Sequence, residues 1–510
     1  MTINSTGPIS LAGTTTGQSI EIELGGNGTT QISLNDSNVR GLAGIASGQI
    51  AFNTFYGLSN VKYYLYAAQT NNICNTGMIP RSIGFDSSCN VYVTSQTQLS
   101  CLYPHAGVLK LSKTLAYITN YYYKFAVGTN GRNYTPTSII KGCAMYMGGR
   151  TACWPAAFLQ KIKIPCLGLC WSYQIRGNNC SVYCYGHVCS INIDSSCTIN
   201  LGYGGALCCS CCGIVQYNYV GRFSTSGTHV AGKDAKYRNY SNAWFSGGFI
   251  DTSGNFTTIS FAQGQYFIET RNSSYTITKS QRFGDGNGYG YTNLQGFVLD
   301  NSGNLYFYGG SGQSSGFGLP YFACQKWSLV SGTWTLQWAR VFGGSSAEGT
   351  FSSGVVDSSG NFYVAGFSNY PSYTYYLLKY NSSGVLQYQR SFTVSRYSQP
   401  PTLGIDAEGA IFMAGCLNNS TNSGFVATVY KLDAAGAKTS GGFNYGTGVS
   451  GLNMQCGGAS SISEFADTVS TSASVNNSNY QGITCVTVAG NSATRYSVGS
   501  LLSSNTVGPL

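Results

Sequence analysis

The chain has 510 residues and a formal net charge of +10, and charged residues make up only 9% of it. Globular proteins usually carry about a quarter of charged residues; here glycine, tyrosine and small polar residues take their place. Lysine and arginine never form a run longer than two, so the chain lacks the basic stripe of a nucleic-acid-binding protein. No stretch reaches the roughly 18 apolar residues that a membrane span needs, and residues 1–20 lack the pattern of a signal peptide.

The first sixty residues share no phrase with the rest of the chain. They contain, in order, Ile9–Leu11, Ser19–Glu23, Ile32–Asp36 and an aromatic-Tyr-Gly close at Phe55–Gly57. Together with Arg40, Leu42 and Ile50, this order and spacing resembles the short N-terminal module of tail-fibre and other tail-associated proteins of tailed bacteriophages. The resemblance implies attachment to the virion, with Asp36, Arg40, Phe55 and Tyr56 as candidate docking residues. The composition by itself indicates a Gly/Ser/Thr-rich segment, which we expect to be a small β module.

From residue 84 onward one phrase recurs. It reads GFDSSCNVYVTS at 84–95, INIDSSCTINLGYGG at 191–205, FIDTSGNFTTIS at 249–260, GFVLDNSGNLYFYGG at 296–310, VVDSSGNFYVAG at 355–366 and LGIDAEGAIFMAG at 403–415. The anchoring aspartates, spaced by 108, 57, 49, 57 and 49 residues, are Asp86, Asp194, Asp251, Asp300, Asp357 and Asp406. IIKGCAMYMGG at 139–149 fills the double gap, with Lys141 in place of the aspartate. The chain therefore contains seven units with a period of about fifty residues.

Each unit predicts four antiparallel strands. An apolar strand leads into a turn in which the aspartate caps backbone N–H groups and a glycine adopts a positive φ. The returning strand is rich in aromatic and β-branched residues. A second strand pair follows, as in YYLLKYNSSG and VLQYQRSF at 375–392. The fold class is therefore all-β, a seven-bladed β-propeller; eight blades and a β-solenoid are the alternatives.

The repeat itself resembles the bacterial β-propeller repeat family known as the SBBP repeat. The likeness covers about 84–446 and is most specific in the three copies between 296 and 446, whereas Cys89 and Cys197 replace the turn glycine in earlier copies. It implies a propeller with an extracellular or surface-associated role and no single activity. The domains are then 1–60, the repeats at 61–446, and 447–510. Strands at 61–68, 483–490 and 495–502 complete the ring or form an eighth blade.

Nineteen cysteines are present, fifteen of them between Cys74 and Cys212. Cys166/Cys170, Cys180/Cys184 and Cys208/Cys211 have spacings loosely suited to zinc, but strand alternation does not make the LCCSCCG run converge. Small buried hydrophobic residues are the first interpretation, and disulfides and a metal are the others. We predict no metal and no cofactor.

Catalytic residues are not predicted either. Seven of the seventeen acidic residues, the six anchors and Asp433, belong to turns, and those outside the N-terminal sixty are otherwise scattered one to a loop, without the carboxylate pair of a glycosidase. His105, His187 and His229 lie in no nucleophile or metal motif. Loop tyrosines are better suited to binding sugars or protein epitopes. The candidates for host contact are Tyr289, Tyr291, Tyr370 and Tyr373, with Tyr103, Tyr375 and Tyr376 in similar segments.

The sequence therefore predicts a non-enzymatic structural protein of a phage tail, assembled in the host cytoplasm. Its expected partners are tail or baseplate proteins through residues 1–60, a glycan or protein of the host surface, and further copies of itself. A virion-associated depolymerase of host polysaccharide and a bacterial surface adhesin are the alternatives.

Overall fold

The structure is a computed structural model, and the chain divides into two compact units, Met1–Tyr63 with Pro509–Leu510 and Tyr64–Gly508. The residues that it describes are 3–4, 6–15, 17–24, 27–43, 47–55, 64–70, 78–98, 104–115, 117–125, 133–151, 157–177, 185–193, 197–209, 213–237, 244–250, 255–262, 265–272, 277–283, 293–311, 321–342, 348–370, 374–393, 399–418, 425–432, 442–444, 453–457, 464–466, 471–472, 480–481, 486–490, 493–497 and 502–507.

The larger unit consists of seven antiparallel sheets, which we number as blades 1 to 7. Blades 1 to 3 contain β2 (Met78–Phe85), β3 (Val91–Gln98), β4 (Pro104–Leu111) and β5 (Tyr117–Phe125); β6 (Asn133–Lys141), β7 (Ala144–Thr151), β8 (Ala157–Lys163) and β9 (Gly168–Gly177); and β10 (Tyr185–Ile193), β11 (Ile199–Cys209), β12 (Gly213–Phe223) and β13 (His229–Tyr237). Blades 4 to 6 contain β14 (Trp244–Ile250), β15 (Phe256–Ala262), β16 (Gln265–Arg271) and β17 (Ile277–Phe283); β18 (Asn293–Leu299), β19 (Leu305–Ser311), β20 (Tyr321–Val330) and β21 (Thr333–Phe342); and β22 (Glu348–Val356), β23 (Phe362–Tyr370), β24 (Thr374–Tyr380) and β25 (Leu386–Thr393).

Blade 7 is built from both ends of this unit. Its first three strands are β26 (Gln399–Ile405), β27 (Ile411–Asn418) and β28 (Phe425–Leu432), and its fourth is β1 (Tyr64–Thr70), which pairs antiparallel with β28. The first strands of successive blades contact one another, and β2 contacts β26, so the ring is closed. The predicted seven-bladed propeller is confirmed, and the eight-bladed alternative is wrong, because the strand at 64–70 completes the seventh blade.

Of the three strands expected to complete the ring or to form an eighth blade, the one predicted at 61–68 corresponds to β1, which completes blade 7, whereas the two predicted at 483–490 and 495–502 join two other blades. After the short β29 (Gly442–Asn444), seven strands each add to the outer edge of a different blade. They are β30 (Asn453–Gly457), β31 (Glu464–Ala466), β32 (Thr471–Ser472), β33 (Tyr480–Gln481), β34 (Val486–Gly490), β35 (Ala493–Ser497) and β36 (Leu502–Val507). Six of the blades therefore contain five strands, and blade 6 contains six.

The hydrophobic core lies between adjacent blades. One cluster joins Val91 and Leu109 of blade 1 to Phe412 and Val429 of blade 7, all completely buried. Other clusters join blades 1 and 2, 2 and 3, 4 and 5, and 5 and 6 in the same way. Because each blade buries its faces only against its neighbours, a single blade has no core of its own.

Each first strand also contains a β-bulge, and serines beside the bulges connect the inner strands of neighbouring blades. Ser82 Oγ donates to the carbonyl of Ser138 at 3.4 Å, and Ser353 Oγ accepts from the backbone of Leu403 at 2.9 Å. A bulge redirects the residues around it, and here it turns a hydroxyl toward the next blade.

The N-terminal unit differs from the small β module predicted for it. Its described residues form α1 (Ile20–Glu23), α2 (Ser37–Ala43) and a 3₁₀ helix at Phe52–Phe55, with one isolated bridge between Ser10 and Ser19. The reason is local capping: Ser19 Oγ accepts from the N–H of Ile22 at the start of α1, and an N-cap of this kind favours helix over strand. Nevertheless the chain as a whole is almost entirely β.

Candidate functional site

The repeated aspartate turn is a small hydrogen-bonded network. In blade 6, Asp357 Oδ1 accepts from the backbone N–H groups of Ser359 and Asn361 at 2.9 and 2.8 Å. Its Oδ2 accepts from Asn361 Nδ2 at 2.8 Å and from the hydroxyl of Tyr363 at 3.2 Å. Gly360 has φ +76°, the left-handed conformation that favours glycine. Both carboxylate oxygens are therefore used within the turn.

Blades 1 and 5 repeat this network. Asp86 binds Asn90 and Tyr92, and Asp300 binds Asn304 and Tyr306, through the same atoms. Burial alone would raise the pKa of Asp86, but the hydrogen bonds from Asn90, Tyr92 and Ser88 outweigh it and hold that pKa below its ordinary value. Asp194 and Asp251 lie outside the described residues.

Blade 7 departs from the pattern at two positions. Ala410 and Phe412 stand where the turns of blades 1, 5 and 6 have asparagine and tyrosine. Asp406 Oδ1 still accepts from the N–H groups of Glu408 and Ala410 at 3.0 and 2.8 Å, but Oδ2 is buried without a hydrogen-bond partner. Burial therefore dominates, and the pKa of Asp406 is raised.

In five blades a lysine of the third strand lies over the ring of an aromatic residue of the second strand. Its position is directly opposite the aromatic residue in the next strand, as in Tyr306 with Lys326 and Tyr363 with Lys379. The Nζ atom is 4.9 to 5.7 Å from the ring centre, a cation–π distance. The pairs are Tyr92 with Lys110, Tyr146 with Lys161, Tyr306 with Lys326, Tyr363 with Lys379, and Phe412 with Lys431.

Four of these five lysines also connect successive blades. Their Nζ atoms donate to a carbonyl in the turn between the third and fourth strands of the following blade: Lys110 to Pro165, Lys161 to Thr225, Lys326 to Ser382, and Lys431 of blade 7 to Lys113 of blade 1. Tryptophan joins them, since Trp171 Nε1 also donates to Thr225 and Trp338 Nε1 to Ser382. Sequence reasoning missed this lysine, although the repeated K in VLKL, LQKI, CQKW, LLKY and VYKL was the signal.

In blades 1, 5 and 6 these networks use both oxygens of the turn carboxylate, which makes those turns structural elements. Among the residues that the structure describes, no group of three His, Cys, Asp or Glu side chains could hold a metal ion. Among the described cysteines, Cys166 and Cys170 are exposed and Cys324 and Cys416 are buried, and none of these four takes part in a disulfide. Burial raises the pKa of the Cys416 thiol well above its ordinary value, so that cysteine packs as a small hydrophobic residue.

The predicted docking residues have different environments in the N-terminal unit. Phe55 is completely buried with Ile3, Ile20 and Val39, so we assign it to the core and not to a docking surface. Asp36 is exposed and accepts from the N–H of Ser33 at 2.8 Å. Tyr56 lies outside the described residues.

Other residues of the resemblance also hold this unit together. Arg40, half-buried, donates from Nη2 to Asn35 Oδ1 at 2.7 Å and to the carbonyl of Gly48 at 3.1 Å. The buried carboxylate of Glu21 accepts from the backbone of Asn27 and Gly28. Among its described residues the unit also exposes a large apolar side chain that the sequence did not single out, Phe52 at 42%.

One of the four predicted host-contact tyrosines lies among the described residues. Tyr289, Tyr291 and Tyr373 lie outside the described residues, and Tyr370 is the last residue of β23, paired with Glu348. Tyr370 therefore lies at the end of β23 away from the Asp357 turn, since β23 starts directly after that turn.

Two further tyrosines of the same segment are described. Tyr375 is completely buried, and its hydroxyl donates to the carbonyl of Gln399 in blade 7 at 2.6 Å. Tyr376 is also buried, so both are packing residues. None of the helices in the described parts of the chain has the length and apolar character to cross a membrane.

Comparisons with known proteins add only distant matches. No family model matches the chain, and no curated protein matches its sequence. A solved protein from Lactobacillus plantarum is 11% identical over 64% of this chain and 94% of that one, with a TM-score of 0.37. A puromycin hydrolase S511A mutant complexed with PGG is 8% identical over 68% of this chain and 60% of that chain, with a TM-score of 0.31. The subtype N10 neuraminidase-like protein of A/little yellow-shouldered bat/Guatemala/060/2010 is 8% identical over 72% and 99%, with a TM-score of 0.34. Matches at this level carry no information about activity or ligand.

Proposed function

We propose that this chain is a non-enzymatic structural protein of a bacteriophage tail. In this proposal the N-terminal unit docks to the tail fibre or baseplate, and the propeller projects from the virion as an adhesin for the host surface or as a spacer.

The observation that carries the proposal is the independence of the N-terminal unit. Residues 1–63 form a compact unit with its own core, and the resemblance to phage tail modules lies entirely within it. The positions that carry this resemblance also hold the unit together: Ile9, Leu11, Ile32, Leu42, Ile50 and Phe55 form or pack against the core, and Ser19, Glu21 and Arg40 make its side-chain hydrogen bonds. The residues that carry the resemblance are therefore residues that stabilise the fold of the N-terminal unit.

The described residues of the propeller fit a role in presenting a binding surface better than a catalytic role. Its described turn carboxylates at Asp86, Asp300 and Asp357 have their oxygens occupied within the turns, and lysines of the blades connect one blade to the next. The candidate host-contact residues Tyr289, Tyr291, Tyr370 and Tyr373 have flat amphipathic side chains, which suit sugar rings or protein epitopes.

The first experiment asks whether the chain is in the particle and which unit brings it there. Virions are purified from cells that express full-length chain, Phe55→Ala, Phe52→Ala or Val385→Ala, and the chain is counted by mass spectrometry. Phe55→Ala empties the core of the N-terminal unit and costs about 3–5 kcal/mol, so it should abolish incorporation. Phe52→Ala tests the exposed phenylalanine of that unit, and Val385→Ala, at a matched exposed apolar residue of the propeller, should enter at normal copy number.

All six tryptophans lie after residue 63, so unchanged tryptophan fluorescence shows that the propeller of Phe55→Ala is still folded. Normal incorporation of Phe55→Ala, despite an unfolded N-terminal unit, would place the docking surface elsewhere. Absence of the wild-type chain from virions would favour a bacterial surface adhesin. New reducing ends after incubation with host polysaccharide would show a depolymerase.

A further inference from the structure

The seven C-terminal strands visit the blades in a fixed order. Strands β30, β31, β32, β33, β34 and β35 pair with the fourth strands of blades 6, 5, 4, 3, 2 and 1, and β36 pairs with β1 of blade 7. Every pairing is antiparallel. The segment 453–507 therefore travels once around the whole ring, opposite to the order in which the chain built the blades.

The twist of β-sheets explains this path. Adjacent strands are rotated by about 20–25°, so the fifth strand of a blade is turned by about 80–100° from the first. If the first strand runs along the axis of the ring, the fifth runs along its circumference. Since the fourth strands all run around the ring in one sense, a chain that is antiparallel to each of them runs around it in the opposite sense, and one chain can therefore visit all the blades in turn.

The length of the segment is also sufficient. The strands begin at residues 453, 464, 471, 480, 486, 493 and 502, so 6 to 11 residues separate one blade from the next. Extended chain of that length spans about 20–40 Å. Seven blades packed about 10 Å apart near their second strands diverge to about 20–25 Å at their outer edges, given a strand spacing of about 4.8 Å. One extended segment can therefore reach every blade.

The end of the segment covers the strand that closes the ring. The register between β36 and β1 has six residue pairs, from Leu65↔Val507 to Thr70↔Leu502, whereas β32 and β33 each have two. Without β36, β1 would be an edge strand held only by β28. The other blades would likewise expose their fourth strands, and exposed edges pair with other chains.

We propose that the rim of the propeller is a strand-acceptor surface and that residues 453–507 of the same chain are its occupant. This segment acts as a belt that covers the outer edges of all seven blades, and its last strand, β36, locks the ring-closing strand β1 in place. The proposal rests on the topology alone and not on the proposed tail function.

Hydrogen exchange of the full chain, followed by mass spectrometry, tests the belt directly. The amides of 453–457, 486–490, 493–497 and 502–507 should exchange at least tenfold more slowly than those of an unstructured peptide of the same sequence. Exchange of the whole segment at unstructured rates, with the four-stranded blades protected, would overturn the proposal.

A pair of proline variants tests the lock with an internal control. In an antiparallel ladder, consecutive residues alternate between bonding toward one neighbour and away from it, so Ser504→Pro and Asn505→Pro should differ. One removes an N–H that bonds to β1, and the other removes an N–H directed outward. We expect one of them to raise exchange at 64–70 at least tenfold while β28 stays protected, and the other to leave β1 nearly unchanged. Equal protection of β1 in both variants and in the wild type would exclude the lock.

Cleavage of the folded protein tests whether the belt on the rim comes from the same chain or from a second copy. A protease site introduced between Leu432 and Asn453 would separate the belt from the propeller without removing it. Native mass spectrometry should then show one propeller and one belt still in a complex. Prompt loss of the belt, with a folded monomeric propeller, would refute the proposal. Complexes of two differently tagged chains before cleavage would show that a second copy donates the belt, which would refute the assignment to the same chain.

Discussion

The defective turn of blade 7 offers a substitution that should stabilise the protein. Phe412→Tyr would place a hydroxyl at the position from which Tyr92 and Tyr363 donate to their aspartates, within reach of the unpartnered Oδ2 of Asp406. A hydrogen bond to a charged group contributes about 1.5–3 kcal/mol, part of which offsets the burial of the new hydroxyl. We therefore expect a gain of about 1–2 kcal/mol in the free energy of unfolding. The mirror variant, Tyr363→Phe, should lose a similar amount.

The assay is equilibrium urea unfolding of the full chain followed by tryptophan fluorescence, which reports on the propeller because the N-terminal unit contains no tryptophan. The gain should depend on Asp406: in an Asp406→Asn background, Phe412→Tyr should stabilise by less than half as much, because the charge is gone. The gain should also be larger at pH 7 than at pH 4, where Asp406 binds a proton more readily. If Phe412→Tyr is neutral in both backgrounds while Tyr363→Phe destabilises, the tyrosine contributes through packing and not through the carboxylate.

Three further outcomes follow from the same contacts. Lys326→Met keeps the alkyl stem but removes the ammonium that lies over Tyr306 and donates to the carbonyl of Ser382. It should lower the free energy of unfolding in urea by about 1–2 kcal/mol. Lys113→Met, which removes an exposed ion pair, is the control and should change the free energy of unfolding by less than about 0.5 kcal/mol. Gly384→Ala should destabilise by more than about 2 kcal/mol, because its Cβ would lie 2.6 Å from a tryptophan ring of the preceding blade, whereas Gly303→Ala, with a similar φ and open space, should cost about 1 kcal/mol. Because the pKa of Asp406 is raised in the folded state, this residue binds more protons in the native than in the unfolded protein. Its contribution to stability therefore falls as the pH rises from about 4 through that raised pKa. In Asp406→Asn this part of the pH dependence of the urea midpoint should disappear.

The sequence predicted the ring because the information for each blade is local. Asp357, Gly360 and Asn361 lie within five residues, and their spacing determines a turn whatever lies elsewhere. The lysine network was missed because its acceptors lie in the next blade: 56 residues separate Lys326 from Ser382. A repeat reveals which residues recur but not what they contact across the boundary between units.

The two ends of the chain were predicted less well, for different reasons. The sequence of the N-terminal unit contained two helix signals. Ser19 is an N-cap before Ile20, and the apolar Val39 and Leu42 lie three residues apart after Asp36. The prediction of a β module gave more weight to the Gly/Ser/Thr-rich composition than to these signals. The belt had no local signal at all. Its strands are as short as two residues, and their hydrogen bonds go to partners chosen by the position of the blade edges.

The closing blade shows how a ring built from repeats tolerates a unit that breaks the rule. Asp406 lacks the asparagine and tyrosine partners of the turns in blades 1, 5 and 6, and the blade is assembled from segments more than three hundred residues apart. A contact across the boundary with blade 1 compensates, because Lys431 donates to the carbonyl of Lys113. The belt adds a second support at β1. Because the turn can lose internal bonds only where its neighbours hold it, restoring those bonds in blade 7 should matter most in variants that weaken β36, and Phe412→Tyr should partly rescue whichever proline variant at 504 or 505 releases β1.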